Sequence, residues 1–145
     1  MTVDLKGLCF HGGDVPNTDY PHFIVIASDN NPEGKVLVVP FSSIKFNSTA
    51  DYQYKGIPCK YYDDACVLDG NEIIDDNGKP VLNRPSFVRY EWALEIETSA
   101  VFTKKLHGIY RYKCRVPQDV LKRVQDGAKC SKEIKPYFSK YFSYF

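Results

Sequence analysis

Two stretches of the chain are apolar almost without a break: HFIVIA at residues 22–27 and KVLVVPF at 35–41, divided by the turn-rich SDNNPEG. A half-exposed strand alternates, so continuous hydrophobicity predicts two strands covered on both faces. Their connector is too short for a helical crossover, which makes them an antiparallel pair. Elsewhere the pattern does alternate. FVRYEWALEIE (87–97) puts Val88, Tyr90, Trp92, Leu94 and Ile96 on one side of an extended chain. Phe87, Arg89, Glu91, Ala93, Glu95 and Glu97 fall on the other. LHGIYRYKCRV (106–116) alternates as well, with Leu106, Tyr110, Tyr112, Cys114 and Val116 opposite His107, Ile109, Arg111, Lys113 and Arg115.

Shorter signals fill the gaps. LKGLCF (5–10) is a brief segment ahead of the loop HGGDVPNTDYP, and ACVLD (65–69) reads as a strand. The tyrosine-rich stretch 46–63 has weak periodicity and reads as loop with room for a short helix or strand, and 70–85 is a long excursion. The period changes near the end of the chain. After Pro117, Val120, Leu121, Val124 and Ala128 form the apolar stripe of a helix that ends at or near Gly127. Ile134, Tyr137, Phe138, Tyr141, Phe142 and Phe145 then recur at helical spacing behind Pro136, an aromatic stripe suited to packing on the sheet or on another subunit. The sum is one mainly β domain over 1–145, of the α+β class. It is a small, strongly curved, half-open barrel of five or six strands with two C-terminal helices over about 117–145.

Composition narrows the picture. At 145 residues, 43% hydrophobic and 26% charged, the chain suits one soluble globular domain. A net charge of +1 argues against wholesale polyanion binding but allows a local basic patch. No apolar run reaches the roughly 18 residues that span a bilayer, and the N-terminus does not resemble a secretory signal, so a cytoplasmic protein with no membrane partner is expected. The five cysteines form no CxxC pair and read as buried, reduced thiols rather than a metal site.

Candidate chemistry starts from Arg89 and Glu91. Residues two apart on a strand point the same way about 7 Å apart, close enough to reach one phosphodiester. A carboxylate can take the proton of a 2′-hydroxyl while a guanidinium stabilises charge growing on the phosphate oxygens. His22 opens the first apolar run, where an imidazole can hold a phosphate or shuttle a proton. Ser42 and Ser43 end the next run, with hydroxyls suited to phosphate oxygens. Arg111, Lys113 and Arg115 form a basic strand face fit for a nucleic-acid backbone. Each also has a plainer reading, as a solvated ion pair, a strand-edge histidine, strand-ending serines and a solvated basic face.

Taken in order, these features resemble the Kid/PemK/MazF-type toxins. YPHFIVIASD followed by GKVLVVPFSS is similar to that family's paired-strand signature, in which an Arg-Pro or similar dipeptide leads an apolar strand and the next ends in Pro-hydrophobic-Thr/Ser-Ser. ACVLD and RPSFVRYEWA look like the following portion, where a strand carries an arginine and, two residues later, an acid. The C-terminal VPQDVLKRVQDGAKCSKEIKPYFSKY is similar to the closing helices of PemK-like proteins, so the likeness spans about residues 21–142. It implies an SH3-like barrel, usually a homodimer, that cleaves single-stranded RNA with no metal or other cofactor and is silenced by a small acidic antitoxin protein. It also implies Arg89 and Glu91 as the catalytic pair, Ser42 and Ser43 lining the cleft, and His22 near the place of a family arginine. This sequence differs from the pattern in that histidine, in glutamate for the usual aspartate, and in its opening strand. The expected function is a toxin-like endoribonuclease. The alternative is a catalytically silent barrel of the same type, carried by a phage or mobile element, whose cleft binds a protein or nucleic acid.

Overall fold

In a computed structural model, residues 4–13, 15, 20–43, 66–82 and 85–145 are described. Among them seven antiparallel strands share one open sheet: β1 (Leu8–Gly12), β2 (His22–Ile26), β3 (Lys35–Ser43), β4 (Val67–Leu68), β5 (Ser86–Val88), β6 (Leu94–Glu97) and β7 (Tyr110–Arg115). Two α-helices, α1 (Thr98–Leu106) and α2 (Gln118–Cys130), and two 3₁₀ segments, Tyr90–Trp92 and Pro136–Tyr144, complete an α+β fold. The expected loop at 46–63 lies outside the described residues.

The two unbroken apolar runs are β2 and β3, paired antiparallel from Ile24↔Pro40 to Ile26↔Val38. The turn between them is made by its own polar residues. Buried Asn31 accepts on Oδ1 from the backbone N–H groups of Glu33 at 3.1 Å and Lys35 at 2.9 Å, and Gly34 takes φ +77°, a conformation suited to glycine. Hydrophobicity is continuous because each face has its own cover. Val25, Leu37, Val39 and Phe41 join a first core with Val120, Leu121, Val124 and Ala128 of α2 and Ile134, Phe138 and Tyr141 of the tail. Ile24, Ile26, Val36 and Val38 join a second with Phe10, Tyr110 and Val101 of α1.

β3 organises the sheet. Its first half pairs with β6, from Lys35↔Glu97 to Val38↔Leu94, and its last three residues pair with β5, from Phe41↔Val88 to Ser43↔Ser86. One long strand thus serves two short ones along the same edge, so the chain between β5 and β6 turns alongside Val39 and Pro40 of β3. That turn carries the candidate site.

The sheet has seven described strands rather than five or six, and the tail stripe winds as a 3₁₀ helix. It packs within the chain, with Phe142 and Phe145 also against the first core and Tyr137 exposed. TSAVFTKK is a helix that the alternating neighbours concealed, and Gly108, at φ +75°, then turns the chain into β7. β7 itself does not carry a uniform face. β1 and β7 slip register between Cys9 and Phe10, so that Cys9 faces Cys114 while Phe10 faces Tyr112. A one-residue slip reverses every later side chain. Tyr110 therefore enters the second core, while Cys114 and Val116 enter the first. No described helix is long and apolar enough to cross a membrane.

Candidate active site where β3 meets β5

β5 stops at Val88, and the next residue leaves the strand. Arg89 (φ −95°, ψ 81°) donates its backbone N–H to Pro40 of β3 at 2.8 Å, and its carbonyl accepts from Trp92 N–H at 2.9 Å, closing the 3₁₀ turn. The single strand expected over 87–97 is therefore two strands with a turn between them. The turn divides the expected apolar side: Val88 and Tyr90 go to the first core, whereas Trp92, Leu94 and Ile96 pack with the second. It also moves Arg89 and Glu91 closer than strand spacing. Arg89 Nε donates to Glu91 Oε1, with the two side chains 27% and 34% exposed, partly shielded but within reach of a ligand.

Tyr90, between them in sequence, anchors the turn. Its hydroxyl donates to the Val124 carbonyl of α2 at 2.8 Å. Gly127, expected near the end of α2, instead lies inside it, which runs on to Cys130. A β-carbon at Gly127 would stand 2.9 Å from Tyr90 Cζ and closer still to its hydroxyl, so glycine here makes room for the tyrosine.

The guanidinium of Arg89 lies over Trp92, Cζ to ring centroid 3.7 Å, with the Phe87 ring at 5.5 Å. His22 meets the same indole edge-on, centroids 5.4 Å apart at 71°. Its Nδ1 is 2.9 Å from the Phe41 carbonyl, and because a carbonyl only accepts, Nδ1 bears the hydrogen of that bond. Ser42, half-buried, stands opposite Phe87, and Ser43, exposed, opposite buried Ser86. Continuing the β2–β3 register by two residues beyond Ile24↔Pro40 sets His22 level with Ser42. His22, Ser42, Arg89 and Glu91 thus gather around Phe87 and Trp92 at one end of the second face.

The basic strand does not join them. β1, β2 and β3 stand between β7 and β5. Nor do its three cations share one side, because of the register slip: Arg111 pairs with His11 and Arg115 with Leu8, across the slip from one another. Arg115 is bound to the N-terminal segment, donating to the carbonyls of Lys6 at 2.5 Å and Asp4 at 2.9 Å. Arg111 and Lys113 instead sit near His11, whose imidazole is held below its ordinary value of 6.5 by burial, then by Lys113, Arg111 and His22. Among the described residues no three His, Cys, Asp or Glu side chains cluster as a metal site would need.

Phe87, Trp92 and the Tyr90–Gly127 contact were not legible as site features. The signal for Tyr90 and Trp92 was the sequence RYEW itself, where an aromatic follows each charge, but an alternating reading assigns those two rings to core packing and leaves Phe87 on the charged side. Compared with known proteins, the chain matches no family model and no curated sequence.

Proposed function

We propose that this protein is a toxin-like, metal-independent endoribonuclease acting on single-stranded RNA, with the curved sheet serving as a small SH3-like half-open barrel of the Kid/PemK/MazF type. The observation that carries the reading is the gathering of His22, Ser42, Arg89 and Glu91 at one end of one face. Glu91 takes the 2′-hydroxyl proton. The 2′-oxygen attacks the adjacent phosphorus and the bond to the 5′-oxygen breaks, leaving a 2′,3′-cyclic phosphate and a 5′-hydroxyl. Arg89, holding Glu91 through Nε, turns its remaining N–H donors to the phosphate oxygens. His22 supplies a proton to the leaving oxygen, and Ser42 and Ser43 hold the substrate backbone. A homodimer, an acidic antitoxin partner and a cytoplasmic location belong to the same reading.

The direct Arg89–Glu91 bond favours a second reading, a silent barrel whose self-neutralised pair sits in a partner-binding cleft. Purified protein incubated with single-stranded RNA in chelator decides between them. Fragments ending in 2′,3′-cyclic phosphate, reduced about 10²–10³-fold or more in Glu91→Gln and Arg89→Met, support the enzyme. Equal behaviour of wild type and both variants leaves the silent barrel.

A further inference from the structure

Trp92 touches two of the side chains assigned to the reaction, and touches them differently. Arg89 lies on its face at 3.7 Å, well inside the roughly 6 Å within which a ring quadrupole attracts a cation. The His22 ring stands nearly perpendicular to it, centroids 5.4 Å apart. The indole is half-buried against the second core, so its own position is fixed by packing. Arginine is a long side chain with much rotamer freedom, and its bond to Glu91 ties down only one nitrogen of the guanidinium. A flat ring beneath it sets the plane of the whole group. The turn's backbone hydrogen bond from Trp92 to Arg89 does not involve the indole, so ring and turn can be separated by substitution.

We infer that Trp92 is the positioning residue of this site: its face orients the Arg89 guanidinium, its near-perpendicular contact orients the His22 imidazole, and one rigid ring sets the distance between them. The inference rests on reading Arg89, Glu91 and His22 as the reacting groups. It assigns Trp92 no bond to the reacting atoms.

Two kinds of measurement test it. In RNA cleavage, Trp92→Leu, which keeps apolar bulk without a ring, loses roughly three- to thirtyfold in kcat with KM nearly unchanged, and Trp92→Phe recovers most of that loss. Leucine and phenylalanine variants with equal kcat overturn the inference. The second measurement needs no catalysis. Trp92 is the only tryptophan in the chain, so its emission reports this ring alone. Arg89→Met and His22→Leu each shift its emission maximum or yield, and an uncleavable 2′-deoxy oligonucleotide shifts it in wild type but not in Arg89→Met. Emission unmoved by either substitution overturns the platform. Wild type that leaves RNA intact while both substitutions shift the emission refutes the nuclease reading and retains the ring as the support of the two side chains.

Discussion

Glu91 and Glu95 stand four residues apart in one short run, and both carboxylates meet a cation, yet they serve different ends. Glu91 is bonded to Arg89, two residues away on the same turn. Glu95 accepts from the Tyr141 hydroxyl at 2.6 Å and lies 3.4 Å from Lys140 Nζ, both on the tail segment 46 and 45 residues later. Lys140 is held in turn by the Tyr137 hydroxyl at 2.7 Å. A bond between distant parts of the chain fastens the fold, because it exists only when the tail covers the first face. A bond within one turn fastens little, and its groups remain available to a ligand. The same residue type thus marks a clasp in one place and a candidate site in the other.

The contrast breaks most severely where both regions lean on α2. Gly127→Ala pushes a methyl group into Tyr90 and is expected to cost about 2–3 kcal/mol, net of the better helix propensity of alanine. Urea unfolding measures it. Because Tyr90 carries the Arg89–Glu91 turn, the variant also loses ligand-induced change in Trp92 emission, while the Glu95 clasp persists. An alanine variant as stable as wild type would mean that the tyrosine does not need this helix.

The clasp is tested next. Tyr141→Phe removes the hydroxyl donor to Glu95 from a part-buried contact, the tyrosine itself being fully buried, at an expected cost of about 1–2 kcal/mol. Its pH dependence gives a finer measure. Burial pushes the Glu95 carboxyl up, but the Tyr141 hydroxyl, Lys140 and Lys35 together hold it below its ordinary value of 4.5. A carboxylate depressed in this way stabilises the fold fully above 4.5, and that contribution is lost as pH falls through the lower, folded value. Wild type and Tyr141→Phe should therefore differ most at neutral pH and converge in strong acid. A difference that grows in acid would reverse the assignment.

What the sequence shows of this molecule follows from range. β2, β3, their antiparallel pairing and the stripe of α2 were legible, because each depends on neighbouring residues: continuous hydrophobicity for two-sided cover, and 3.6-residue spacing for one buried stripe. The register slip at Cys9 and Phe10 was not, since nothing in YRYKCR announces which partner residue it faces. That slip dispersed the expected basic face of Arg111, Lys113 and Arg115. The 3₁₀ turn at Tyr90–Trp92 hid for a related reason: a turn and a strand both fit an alternating run, and only the pairing of β5 and β6 with successive parts of β3 selects the turn. Arg89 and Glu91 were legible as a pair because they stand two positions apart, with one residue between them. Trp92, read as a core ring, becomes their support only once the turn exists.

The smallest expected effect is the one that most sharpens the comparison. Glu91→Gln keeps the size of the side chain and an oxygen that Arg89 can donate to, while removing the charge. A local, partly exposed ion pair contributes little to folding, so the unfolding free energy measured in urea is expected to change by no more than about 0.5 kcal/mol. The clasp variant moves further although it removes only one oxygen atom, because its contact joins the tail to β6. If Glu91→Gln instead costs more than about 1 kcal/mol, the pair is holding the turn in place, as Tyr90 does from α2. Glu91 would then resemble Glu95 in purpose, and loss of RNA cleavage in that variant would report a loosened fold rather than a missing base.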